Sequence, residues 1–188
     1  MTRIELETER LFLRPLAPED IEQFCALMVD PRIARFLSLD RKPQAKAASW
    51  RQFAAYLGHW TIRGFGFFSV FEKSSGAWIG RVGPWAPEGW PGLECGWGVT
   101  PEHWGKGYAP EAATAAIGWT FEKFPTLARI ISLIDPENAN SQSVARKLGE
   151  TKTDETFVLE TMSLDIWAAD RNEWLARFYP AGFSTIRK

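Results

Sequence analysis

The sequence predicts one α/β domain, of the α+β kind, spanning residues 1–188. Three observations predict it. The chain has 188 residues, the length of one domain that buries roughly 70% of its extended surface without metal or disulfide staples. Stretches of period-two apolar alternation are interleaved with stretches of helical spacing. No internal repeat, charge block or low-complexity linker divides them.

Residues 11–14 (LFLR) alternate and form a first strand that ends at Pro15. Pro18, Glu19 and Asp20 make a first helical turn, where proline is tolerated and carboxylates face the positive end of the dipole. Ile21, Phe24 and Met28 continue at helical spacing, and Pro31 closes the helix. A second helix starts near Pro43, presents Trp50, Phe53, Ala54 and Leu57, and is capped by Gly58. Period two then returns: 67–71 is a strand, Ser74-Ser75-Gly76 a turn, and 77–82 its hairpin partner. Residues 83–92 (GPWAPEGWPG) form a loop stiffened by three prolines.

Residues 93–99 are another strand, with Gly96 and Gly98 inside it, and strand glycines mark a bulge or a close backbone approach. Residues 110–124 form an alanine-rich helix that turns Ala113, Ala116, Ile117, Thr120 and Phe121 to the sheet. Residues 128–133 are a buried strand. Asn138 or Asn140 caps a short helix carrying Val144 and Leu148 and ended by Gly149. Strands over 157–164 and 166–168 and an exit helix over 173–178 complete the chain.

Composition excludes several functions. Lys+Arg 22 against Asp+Glu 23 gives a net charge of -1, which argues against a nucleic-acid partner. Cys25, Cys95, His59 and His103 lack the spacing of a metal site, and two cysteines make no disulfide framework; a reducing compartment is the simpler reading. The acidic N-terminus (MTRIELE) is not a signal peptide, and no run reaches the ~18 apolar residues of a membrane helix. A soluble, cytoplasmic protein without a membrane partner is expected. Its ten tryptophans are spread along the chain and are expected in the core and its rim; a stacking surface for sugars or bases is the remote alternative.

The chemistry concentrates in residues 93–109 (LECGWGVTPEHWGKGYA). Trp104-Gly105-Lys106-Gly107-Tyr108-Ala109 joins a strand to a helix, a geometry that turns backbone N–H groups toward phosphate oxygens at a positive helix end. It fits neither a Walker loop nor a Rossmann fingerprint, and a tight turn that needs glycine explains the same residues.

This loop resembles the acetyl-CoA pyrophosphate loop of the GNAT superfamily of N-acetyltransferases, [Q/R]-x-x-G-x-[G/A]. Gly107 and Ala109 match its last fixed positions, and Trp104 stands where Gln or Arg is usual, as in the RimJ/RimL-like branch. Three further stretches are similar to that branch: Glu7 to Leu11 with Leu13-Arg14-Pro15, Pro101 to Ala112, and Pro136-Glu137-Asn138 with Ser141, Val144 and Lys147-Leu148-Gly149. The resemblance covers 5–150 and weakens over 151–188, where Glu150 replaces an aromatic residue.

It implies a mixed, mostly antiparallel sheet, flanked by helices and splayed between strands four (93–99) and five (128–133). The two strand glycines would make a bulge that frees backbone groups for the pantetheine arm of acetyl-CoA, the co-substrate. Trp97, Gly98 and Val99 would flank the arm, and 104–109 would hold the diphosphate. Lys106 adds charge there or is simply solvated. Asn138 contacts the cofactor or is a turn asparagine.

Acetyl transfer needs a neutral amine nucleophile, although alkylamines have pKa values near about 10.4. Glu94 is the candidate base, its alternative being a strand-edge glutamate, solvated or paired with arginine. An N–H near Val99 would donate to the oxyanion. The family's tyrosine acid falls on Ala145, and Ser141 is its substitute or a helix-capping hydroxyl. Cys95 points away from Glu94 on the strand and is structural.

The implied activity is direct acetyl transfer from acetyl-CoA to a primary amine in a ternary complex, with no metal. The acceptor is a small molecule or a protein N-terminus, and the protein is a monomer or a homodimer. The alternative is a CoA-binding regulatory module of the same fold.

Overall fold

The computed structural model describes residues 4–38 and 40–180. Its eight strands are β1 (Leu6–Glu7), β2 (Leu11–Pro15), β3 (Phe68–Glu72), β4 (Trp78–Trp85), β5 (Glu94–Val99), β6 (Arg129–Ile134), β7 (Thr151–Leu159) and β8 (Met162–Asp170). They form one mixed sheet in the order β1-β2-β3-β4-β5-β6-β8-β7. Every pairing is antiparallel except β5 with β6. The parallel pair forces a crossover, which α4 (Tyr108–Lys123) supplies. Strands four and five of the expected sheet are β5 and β6, because the two-residue β1 adds one to the count.

Helices cover both faces. On one, Ala113, Ala116, Ile117 and Phe121 of α4 are buried on the sheet in a cluster with Leu13, Phe68, Val82 and Cys95. Small side chains let the helix approach closely. On the other, α1 (Ile21–Val29) and α3 (Lys46–Arg63) join Phe24, Met28, Phe53 and Tyr56 to Phe67. Adjacent Phe67 and Phe68 thus serve opposite cores, as strand alternation requires.

Local details depart from the sequence expectations for identifiable reasons. Pro31 opens a further helix, α2 (Pro31–Leu37), because Asp30 caps it by accepting from the Arg32 N–H at 2.8 Å. α3 begins at Lys46 and runs through Gly58 to end at Gly64, whose φ is 73°. Beyond Gly58, His59 Nδ1 lies 2.7 Å from the Phe65 carbonyl and the Trp60 indole donates to that of Phe67 at 2.8 Å. Those anchors outweigh the roughly 1 kcal/mol a mid-helix glycine costs. Its buried face carries Ser49, Phe53, Tyr56 and His59, while Trp50 and Ala54 face outward. Polar atoms with internal partners hid that face from an apolar count.

Strand β4 runs to Trp85, through Pro84. β3 pairs with β4 only as far as Val82, so the missing Pro84 N–H leaves no ladder bond unmade. Helix α4 starts two residues before Pro110. Residues 157–164 are a hairpin turn and its flanks, with Glu160 at φ 53°. β7 shows no alternation over 151–156 because neither face of that stretch is covered: TKTDET is mostly exposed on both sides. α5 (Ala139–Lys147) is capped by Asn138, and α6 (Arg171–Phe178) is the exit helix. Of the tryptophans, Trp119, Trp167 and Trp174 are buried and five more are half-buried, whereas Trp50 and Trp104 are exposed.

Candidate active site

β5 and β6 meet at a single register pair, Glu94 with Ile131, where the Ile131 N–H donates to the Leu93 carbonyl at 3.1 Å. Past it the strands part. Trp97 occupies the gap, packing toward Ile134, Ala145 and Trp167 while its indole donates to Ser141 Oγ at 3.2 Å. On the other side β5 stays in unbroken register with β4, from Gly80–Val99 to Trp85–Glu94. The Thr100 N–H donates to the Ile79 carbonyl at 2.8 Å, so ladder alternation turns the N–H and C=O groups of Cys95, Trp97 and Val99 away from β4, into the gap. The Cys95 carbonyl accepts from Ser132 Oγ (2.9 Å) and that of Val99 from the Trp104 indole (2.7 Å). Both groups of Trp97 and the Val99 N–H face the cleft.

The expected bulge is therefore absent: divergence of β6, not a register shift, frees these groups. Gly96 and Gly98 have another reason. A Cβ on Gly96 would stand 3.1 Å from Phe67 Cε1 and 3.3 Å from Arg81 Nη1, and one on Gly98 would stand 3.2 Å from Leu37 Cδ1. They let neighbouring side chains lie flat across β5.

After β5, a 3₁₀ turn (Pro101–His103) leads to a loop with Gly105 at φ 74° and Gly107 at φ 82°, and thence to α4. From Gly105 to Ala109 no backbone N–H donates in good geometry to an acceptor among the described residues. The loop is braced from behind. Glu111 accepts from Thr8 Oγ1 (2.5 Å), the Arg10 N–H (2.9 Å) and Arg10 Nε (2.7 Å), while Arg10 Nη1 donates to the Lys106 carbonyl at 2.9 Å. Arg10 also lies 4.5 Å over the Tyr108 ring, and the Tyr108 hydroxyl donates to Glu72. Two sequence motifs a hundred residues apart thus build one rigid turn.

The cleft has two adjoining chambers. The larger, about 610 Å³, is lined by Trp97, Gly98, Val99, Trp104, Gly105, Gly107, Tyr108, Ala109, Asn138 and Ser141, so nearly every expected cofactor residue meets there. Lys106 is the exception: it is exposed outside the wall. The smaller chamber, about 290 Å³, holds Glu94 and shares Trp97, Asn138 and Ser141 with the larger.

A family model described as "Acetyltransferase (GNAT) domain" matches residues 10–151. The chain belongs to the GNAT acetyltransferase family. The uncharacterized N-acetyltransferase p20 of Bacillus licheniformis is 29% identical over 149 residues, 78% of this chain and 82% of that protein. An acetyltransferase from Agrobacterium tumefaciens superposes with a TM-score of 0.79 at 30% identity, covering 90% of this chain and 95% of that one. RimL, a ribosomal L7/L12 α-N-protein acetyltransferase solved with coenzyme A, shares the fold at 14% identity, with a TM-score of 0.71 over 89% of this chain and 98% of that one.

Within this GNAT cleft Glu94 is held by the Trp90 indole, which donates to Oε2 at 2.7 Å. Enclosure pushes its carboxyl up to about 7, against the opposing pull of that bond, the Arg81 charge and a bond to the Leu133 backbone. Cys95 faces the α4 core with its thiol pushed well up, first by burial and then by Glu150 and Glu94, which suits a structural residue. Ala145 is fully buried and offers no acid. Asn138 caps α5 by accepting from the Ser141 N–H at 3.0 Å, the Ser141 hydroxyl does not cap the helix but accepts from the Trp97 indole, and both residues border both chambers. Among the described residues, no group of three or more His, Cys, Asp or Glu side chains is placed to hold a metal, and no helix is long and apolar enough to cross a membrane.

Sequence reasoning missed Arg81 and Glu150. Arg81 had one signal, a cation between apolar neighbours in a strand that crosses two glycines. Glu150 had another, a carboxylate where the family has an aromatic residue. It is buried with its carboxyl pushed up to about 8, chiefly by burial, and bonded to Ser132 Oγ at 2.9 Å. Ser132 Oγ donates to the Glu150 carboxyl or to the Cys95 carbonyl, both at 2.9 Å, and its single proton serves one of them at a time.

Proposed function

We propose that this GNAT protein moves an acetyl group from acetyl-CoA to a primary amine by direct transfer in a ternary complex. The observation that carries the reading is the pair of adjoining chambers, one walled by turned-out N–H groups and the other holding a raised carboxyl. The N–H groups of residues 105–109, at the positive end of α4, suit a diphosphate. The free edge of β5 at Trp97 and Val99 suits an amide-bearing arm lying along it as an added strand.

Acetyl-CoA supplies an activated acyl carbon, and the chain does the rest. Glu94 accepts the proton of the incoming amine, directly or through water, as the new C–N bond forms and the C–S bond breaks. The Val99 N–H donates to the carbonyl oxygen as charge builds there. With Ala145 at the usual acid position, Ser141, which lines both chambers, offers a hydroxyl to the departing thiolate, which needs a proton least of the three demands. The fold accommodates a small-molecule amine or a protein N-terminus. Residues 1–188 act as one domain, and unpaired, buried Cys25 and Cys95 suit the cytoplasm.

Calorimetry with acetyl-CoA, followed by an amine screen reading released thiol, tests the proposal. Binding that is lost in Ala109→Glu supports the diphosphate site, because this change sets a carboxylate at the chamber wall without backbone strain. Absence of binding at millimolar acetyl-CoA overturns it. Binding without transfer to any amine leaves a CoA-binding module.

A further inference from the structure

Arg81 is left unused by the transfer chemistry above, and its position is unusual. It sits mid-strand on β4, 5% exposed, and lines the smaller chamber beside Glu94. Its guanidinium lies 4.0 Å over the Phe67 ring and 5.5 Å from that of Tyr56. Its Nε is buried without an acceptor, and among the described residues the Arg81 side chain makes no hydrogen bond and no ion pair within 4.0 Å. A buried cation without a carboxylate partner costs several kcal/mol, of which ring contacts offset about 2. The shape of β5 nonetheless favours it: Gly96 and Gly98 carry no side chain where Arg81 passes, and a Cβ would stand 3.3 Å from Nη1 or 3.6 Å from Nε respectively.

We propose that the smaller chamber takes a free α-amino acid as acceptor, its carboxylate on Arg81 and its amine toward Glu94. A guanidinium offers five donors in a planar fork that matches a carboxylate, and burial strengthens that pairing. The chamber, about 290 Å³, is of small-molecule size, and Tyr56, Trp85, Trp90 and Leu164 give it apolar walls that suit an apolar side chain. A peptide would set a neutral amide where the carboxylate belongs and leave Arg81 unpaired, so the site discriminates against polypeptide N-termini. The inference rests on the transferase reading for its chemistry, but not for its binding.

Two measurements on the full chain test it. The first compares kcat/KM for L-leucine, L-methionine and L-phenylalanine with that for their α-carboxamides. The acids should be favoured by about tenfold to a hundredfold, the worth of a charged hydrogen-bonded pair. In Arg81→Gln the ratio should fall toward one, and Arg81→Lys should restore part of it. The second, free of turnover, follows quenching of tryptophan fluorescence by L-leucine against L-leucinamide, with Trp85 and Trp90 as reporters.

Equal rates and equal binding for acid and amide in the wild-type protein overturn the proposal, whether or not Arg81→Gln folds. A preference that survives Arg81→Gln, in a variant with a normal melting temperature and normal acetyl-CoA binding, also overturns it. Transfer to carboxamides alone would defeat this inference and keep the transferase. Failure to bind acetyl-CoA would defeat the transferase, while the fluorescence comparison still decides the role of Arg81.

Discussion

Glu94→Gln tests the proposed base through a pH profile whose shape follows from the site. With its carboxyl pushed up to about 7 by enclosure, Glu94 is about one-eleventh ionised at pH 6 and ten-elevenths at pH 8. If it accepts the amine proton, kcat/KM should rise about tenfold across that interval and bend near pH 7. An ordinary glutamate would be ionised throughout and produce no bend. The acceptor amine adds its own rise toward its own pKa, from about 8 for an α-amine to about 10.4 for an alkylamine, which wild type and variant share. Glutamine keeps the carbonyl that accepts from the Trp90 indole, so the geometry should persist while kcat/KM falls by about 10² to 10⁴ and the bend disappears. The assay is thiol release at saturating acetyl-CoA over pH 5.5–9, with the acceptor varied. A Glu94→Gln protein that keeps the bend near pH 7, or keeps activity within about threefold, refutes the assignment.

Glu150 should make the fold less stable as pH rises. Its proton is held more tightly folded than unfolded, so its contribution is complete below its ordinary 4.5 and is lost as pH climbs through about 8. Denaturant unfolding should show that decline, about 5 kcal/mol at most, and Glu150→Gln should flatten it. Asp20→Ala should cost about 3–5 kcal/mol in the same experiment. It strips the buried partner from Arg14, which grips both carboxylate oxygens at 2.7 Å, and from Ser69 Oγ at 2.6 Å and the Ala17 N–H at 2.9 Å. Cys95 should resist thiol reagents in the folded protein and react only on unfolding, whereas labelling at the rate of a free thiol would contradict its place in the α4 core.

The motif residues were legible because their chemistry is local. Gly105 and Gly107 take positive φ, Asn138 caps the helix it precedes, and the alanines of α4 face the sheet at helical spacing. Glu94 and Cys95 part to opposite faces as a strand demands. Elements whose reasons lie elsewhere in the chain were misread. Gly58 is ordinary inside a helix once His59 and Trp60 are anchored beyond it, and Pro84 is harmless where β3 has ended. β7 shows no alternation because its first six residues are mostly exposed on both faces and have no apolar side to declare.

What the sequence determined by itself is the fold class and the loop from 104 to 109, because backbone conformation and helix polarity follow from neighbours along the chain. Only the tertiary structure decided the rest of the site. It joined Thr8 and Arg10 to Glu111 behind that loop, parted β6 from β5 after one register pair, and laid Arg81 across Gly96 and Gly98 next to Glu94. Burial and charge proximity arise between segments far apart in sequence. A carboxyl raised by enclosure, or a guanidinium left without a partner, exists only after the sheet has assembled.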